Sequence, residues 1–138
     1  MKKPFNSSLF VLLGAAILLF TSCSAEPEKA DFYGSYRLIK IKENGQILNI
    51  DTLAQVELSE DIYTTAMDRN GDFVLSEDEF ASVAYSFHMD REKKPYILIN
   101  NDRSPVYIWD ETHFDLLMKK IDPLGNETVM YFKDLSDD

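Results

Sequence analysis

A single cysteine, Cys23, is all the chain has, so no disulfide can form within it. Positive charge is also scarce, with 14 Lys and Arg against 24 Asp and Glu and a net charge of -10. Lys2 and Lys3 fall in an acid-free N-terminal leader, and setting them aside leaves 12 basic against 24 acidic residues, net -12. Phosphate-backbone binding needs clustered Lys and Arg, and the only short basic run, Arg91 to Lys94, is interrupted by Glu92. Nucleic acid is therefore not an expected partner. There are two histidines, His88 and His113, and their spacing to Asp90, Asp110 and Asp115 matches no zinc motif. The sequence contains no Gly-rich phosphate loop, no Gly-x-Ser-x-Gly elbow and no His-Glu-x-x-His. The expectation is a protein with no catalytic residues, not an enzyme.

What is present begins with an export signal. Lys2 and Lys3 precede the apolar run Leu9 to Phe20, which is short for a membrane span, since that takes about 20 apolar residues. Leu19-Phe20-Thr21-Ser22-Cys23 resembles a bacterial lipobox, with Phe20 where Leu is usual. The resemblance implies a signal peptide over residues 1–22, cleavage before Cys23 and lipidation of that cysteine by palmitate or a similar acyl chain. Ser24 after the cysteine is similar to lipoproteins sent on to an outer membrane. The polar stretch to Asp31, with Pro27, reads as a tether.

From Phe32 the chain reads as short strands broken by turns about every ten residues. Phe32 to Lys42 is aromatic and β-branched, and Asn44-Gly45 turns it into Ile47 to Ile50. Asp51 to Ala54 has the signals of one capped helical turn. Val56, Leu58 and Ile62 to Thr65 are strand-prone. Val83, Tyr85, Phe87 and Met89 alternate with Ala84, Ser86, His88 and Asp90, a strict period of two that puts His88 on a polar strand face. His113 is expected on such a face too. Tyr96 to Ile99, Val106 to Trp109, Phe114 to Lys119 and Glu127 to Lys133 complete the set, with turns at Asp90 to Lys94, Asn100 to Pro105 and Asp122 to Asn126. Residues 32–134 thus form one mainly β domain, a small antiparallel up-and-down barrel or barrel-like meander, followed by an acidic tail at 135–138.

The stretch Asp68 to Phe80 admits two readings. Asn70-Gly71 is a two-residue hairpin turn by composition, and that assignment is the expectation. The alternative rests on oxygen-bearing side chains at loop positions one, three, five, nine and twelve: Asp68, Asn70, Asp72, Ser76 and Glu79. With the Val74 carbonyl at position seven and Leu75 at eight, this resembles an EF-hand calcium loop, and Ca²⁺ is the one cofactor it suggests. Phe73 departs from it, because position six is normally Gly and takes φ > 0, which costs a bulky residue about 1–2 kcal/mol.

Phe32-Tyr33-Gly34-Ser35-Tyr36-Arg37-Leu38 and Glu127 to Lys133 are similar to the opening Gly-x-Trp strand and the closing strand of small bacterial lipocalin-like lipoproteins, with Tyr36 in place of Trp. The resemblance implies a barrel of about eight strands with room for a small apolar ligand. Tyr85, Phe87, Tyr96, Tyr107 and Trp109 are the candidate lining residues. Taken together, the sequence leads to a lipid-anchored binding module of the bacterial envelope, held by Cys23, with calcium binding as the rival function. A further alternative is an inhibitor or assembly partner whose acidic surface meets a basic envelope protein.

Overall fold

A computed structural model describes residues 26–137; the leader, the lipobox-like segment and Cys23 lie outside the described residues. Glu28 and Asp31 cap a 3-10 turn, Lys29–Phe32, which draws residues 29–31 of the expected tether onto the barrel: Phe32 is buried and its ring lies 6.2 Å from that of Phe87. The first strand then starts at Gly34 with φ 148°, a conformation open mainly to glycine. The Tyr36 ring folds back over this glycine, close enough that a Cβ there would meet the Tyr36 hydroxyl at 3.5 Å, and the same hydroxyl donates to the Phe32 carbonyl at 2.9 Å. The Gly-x-aromatic pattern is thus a local lock between strand and preceding turn.

Nine strands follow: β1 Gly34–Glu43, β2 Gln46–Leu48, β3 Ala54–Leu58, β4 Ile62–Met67, β5 Phe80–Met89, β6 Pro95–Ile99, β7 Val106–Glu111, β8 Phe114–Ile121 and β9 Glu127–Asp134. Every pairing is antiparallel and joins neighbours in sequence, except that β1 also pairs with β3 and with β9. The β1–β9 ladder closes β1 and β3 to β9 into an eight-stranded up-and-down barrel, and closure removes the sheet edges. The short β2 continues where β3 leaves off, pairing with Ile41 to Glu43 through the expected Asn44-Gly45 turn, whose φ values of 51° and 82° are both positive.

Asp51 to Leu53 form no helix. Thr52 Oγ1 bonds the side chain of Asp51, not a backbone amide, and Ala54 is already in β3. Five residues between β2 and β3 leave little length to nucleate a helix. His113 likewise sits in the turn between β7 and β8, not on a strand face. The acidic tail opens with a 3-10 turn, Leu135–Asp137.

Alternation sorts each strand into an inward and an outward set. The inward set fills the barrel: Leu58, Ile97, Ile108, Leu116, Met118 and Phe132 are all at most 2% exposed, with Tyr36, Tyr63 and Tyr85 among them. Antiparallel order puts the N-terminal turn, the Ser59–Asp61 turn and the Asp90–Lys94 turn at one end. The 68–79 loop, the 100–105 turn and the 122–126 turn lie at the other, which we call the loop end.

Candidate functional site

The longest interruption in the barrel carries the most organised polar chemistry. Strands β4 and β5 pair as a hairpin up to Ala66 and Phe80, but residues 68–79 form the connection, so Asn70-Gly71 is not a two-residue strand turn. The composition of that dipeptide suits a tight turn, yet the carboxylates on either side capture the backbone first. Asp68 accepts the amide of Gly71 at 3.0 Å through Oδ1 and that of Phe73 at 2.7 Å through Oδ2. Asn70 Oδ1 accepts the Asp72 amide and Asp72 Oδ1 the Val74 amide, at 3.2 and 3.0 Å. These are successive side-chain-to-backbone turns of the kind Asx residues make. The base of the loop is tied to the chain before β3, since the Asp68 amide donates to the Leu53 carbonyl at 2.9 Å.

Ser76 and Glu79 close the loop as a capping box around the 3-10 turn Glu77–Glu79. Glu79 Oε1 accepts the Ser76 amide and hydroxyl, both at 2.9 Å, and Oε2 accepts the Arg69 amide from the opposite side. The Ser76 amide first, and the Arg69 amide second, hold the Glu79 carboxyl below its ordinary range, because both favour the charged form. The signal for this element was in the sequence as Ser-x-x-Glu, and reading those residues only as possible metal ligands missed it.

Asp68 and Glu79 are buried, at 5% and 4% exposure, and their carboxylates and that of Asp72 lie within 4.8 Å of one another. Among the described residues no ion pair reaches any of the three. Three like charges this close repel, and the site is chemically disposed toward a hard cation. Phe73 takes φ 60° with its side chain largely exposed. The Ser76 hydroxyl also contacts Asp78 at 2.7 Å.

The five aromatic residues expected to line a cavity are split between the two faces. Tyr85 and Phe87 point into the core, whereas Tyr96, Tyr107 and Trp109 stand outside it. Period-two alternation decides this: His88 pairs with Tyr96 and Tyr96 with Tyr107, one outward rung with ring centroids 5.3 and 5.5 Å apart. His88 also bonds Ser86 at 2.7 Å. Two of the cavities among the described residues lie near these side chains or at the barrel mouth. One, of about 450 Å³, opens where β6 and β7 share only the pairs Tyr96–Tyr107 and Ile97–Val106, and is bordered by Asp90, Pro95, Tyr107 and Trp109. The other, of about 270 Å³, sits at the loop end of the barrel, with Tyr63, Met118 and Met130 beneath Lys120, Asn126 and Thr128.

The fold is that of a closed, eight-stranded antiparallel barrel, compatible with a lipocalin-like binding module. Compared with known proteins, the chain matches no family model, no curated protein and no solved structure.

Proposed function

We propose that this protein is a binding module of the bacterial envelope, anchored in the outer membrane by lipid on Cys23, and that its ligand is Ca²⁺ held by the 68–79 loop. The observation that carries the calcium reading is the convergence of Asp68, Asp72 and Glu79, two of them buried, with no ion-pairing cation against them among the described residues. The positive φ of Phe73 supports it, since the residue that argued against a calcium loop by type has the backbone such a loop uses. Asp68, Asn70, Asp72 and Glu79 would supply side-chain oxygens, Val74 its carbonyl, and Ser76 a hydroxyl or a bridging water. The anchoring reading is supported by the leader and by Ser22-Cys23 alone.

Calorimetric titration of the purified protein with Ca²⁺, beside Glu79→Gln, tests this. Saturable binding that the substitution abolishes is the expected result; no heat at millimolar calcium overturns it. The loop-end cavity favours a second reading, a small apolar ligand in the barrel mouth, because its floor is Met118, Met130 and Tyr63. The packed centre limits such a ligand to the mouth. Shifts of the Met118 and Met130 methyl resonances on adding a short fatty acid would support that reading, and unmoved resonances would exclude it.

A further inference from the structure

We infer that the outer wall formed by β7, β8, β9 and β1 is a docking face for an anionic membrane surface. The inference rests on the lipid-anchored reading above. The register lays this wall out in rungs. Lys42, Val129, Lys119 and Tyr107 form one; Lys40, Tyr131, Leu117 and Trp109 form the next; Arg37 and Lys133 face each other in a third. These rungs hold five cations and no acid, in a chain whose net charge is -10. None of the five takes part in an ion pair among the described residues. Arg37 and Lys133 are like charges directly opposed across an antiparallel ladder, an arrangement that is unfavourable unless an anion lies over both. Acids border the wall: Asp115, two residues before Leu117 on the same face of β8, accepts the Asp134 amide at 2.7 Å beside Lys133, the Tyr107 hydroxyl donates to Asp90 at 3.2 Å, Trp109 Nε1 donates to Glu111 at 3.3 Å, and Glu127 starts β9.

The aromatic residues are interleaved with the cations, not set apart from them. Lys40 Nζ lies 4.3 Å from the Tyr131 ring centroid and 5.1 Å from that of Phe114, and Lys42 Nζ lies 5.8 Å from Tyr131. Leu117 faces outward yet is only 1% exposed, which leaves Trp109 and Tyr131 beside it on the wall as partly exposed ring surface. Lysines whose stems lie along aromatic rings, beside Tyr and Trp, are the composition of an interfacial belt, where rings sit at headgroup level and ammonium groups meet anionic lipid. An acidic protein or a soluble polyanion would satisfy the charge but would not call on the rings. Lipid on Cys23 would hold the barrel within reach of such a surface, and an anionic leaflet would then lay it on this side while the acidic remainder faces away.

Trp109, the only tryptophan, stands in the wall and reports on it directly. The full chain, as processed by the cell, is reconstituted with vesicles of phosphatidylcholine alone or mixed with phosphatidylglycerol, each carrying a headgroup nitroxide quencher. Expected are flotation with both compositions and Trp109 quenching only with phosphatidylglycerol, lost in high salt and in Lys40→Glu with Lys42→Glu. Because Lys40 packs on rings, Arg37→Gln with Lys133→Gln is the second variant; it removes a repulsion and is expected to stay folded while weakening the quenching. Flotation with both compositions, with quenching absent or equal in the two, overturns the inference. Flotation with anionic vesicles alone would defeat the anchoring reading and leave the docking face standing, whereas flotation with neither would defeat both.

Discussion

The Asp68 carboxylate accepts the amide of Phe73 at 2.7 Å, and Phe73 is one of four non-glycine residues with positive φ among the described residues. The two facts belong together. A buried carboxylate collecting amides from both sides of a tight bend offsets the steric cost of a β-carbon in the left-handed region. Phe73→Gly should therefore stabilise the protein, by about 1 kcal/mol, through relief of that strain. Its side chain is exposed, so little packing is lost. Chemical denaturation of the two forms checks the sign, and a destabilised variant would show that the Phe73 ring matters more than its backbone.

Glu79 bears on acid stability. Its carboxyl is held low by the Ser76 and Arg69 amides, so the folded state favours the charged form more than the unfolded chain does. The contribution is present above the ordinary carboxylate value and disappears as pH falls through the depressed one. Protection of the Arg69 and Ser76 amides, taken relative to the intrinsic exchange rate at each pH, should fall in that acid window in the wild type. In Glu79→Ala, which removes both acceptor oxygens, exchange at both amides should already be fast at neutral pH, and slow exchange there would contradict the capping role.

Alkaline pH should act through the core. Burial pushes Tyr36, Tyr63 and Tyr85 up to about 12, with Asp134 adding to the effect at Tyr36 and Tyr33 at Tyr85. A folded-state value above the unfolded one means that the stabilisation is complete below about 10 and fades as pH rises toward 12. Of the seven tyrosines, these three should give tyrosinate absorbance last, together with loss of β circular dichroism. Early, non-cooperative ionisation of all seven would mean that the barrel interior is wet.

Leu116 and Phe132 are cross-strand partners at 0% and 1% exposure, where the closing strand meets its neighbour. Leu116→Ala should cost about 2–5 kcal/mol and Phe132→Ala about 3–5 kcal/mol, from lost burial and from the cavity left behind. Because the two side chains share one volume, the double variant should cost less than the sum. Urea denaturation of the three proteins measures this, and strict additivity would show that the residues do not share a cavity.

Gly45 takes φ 82° at the second turn position, with nothing within 4 Å of where a Cβ would stand. Gly45→Ala should cost about 1–2 kcal/mol from backbone strain alone. A loss well beyond that, read from the thermal midpoint, would point to a contact of β2 that the turn geometry does not account for.

Strand identity was legible because it is local. Alternation in Val83 to Met89 is written in neighbouring residues, as is the demand of Asn44-Gly45 for positive φ, and each became the element expected. The 68–79 segment was legible only as a choice between two structures. Asn70-Gly71 satisfies the local rule for a hairpin turn, while the competing bonds run from Asp68 forward to Phe73 and from Glu79 back to Arg69, a reach of ten residues that no dipeptide rule includes. Reading Tyr85 and Phe87 with Tyr96, Tyr107 and Trp109 failed for a related reason. Aromatic type is visible in sequence, but two strands share a face only through the register between them.

The sequence by itself determined most of the strands, the Asn44-Gly45 turn and the surplus of acid, because each depends on a residue and its near neighbours. Tertiary structure alone decided that β1 and β9 meet, that carboxylates at 68, 72 and 79 converge, and that five cations gather on one wall of an acidic protein. Those are relationships between residues far apart in the chain, set when closure aligns whole ladders at once, and a ladder shifted by a single residue would turn each wall's side chains to the opposite face.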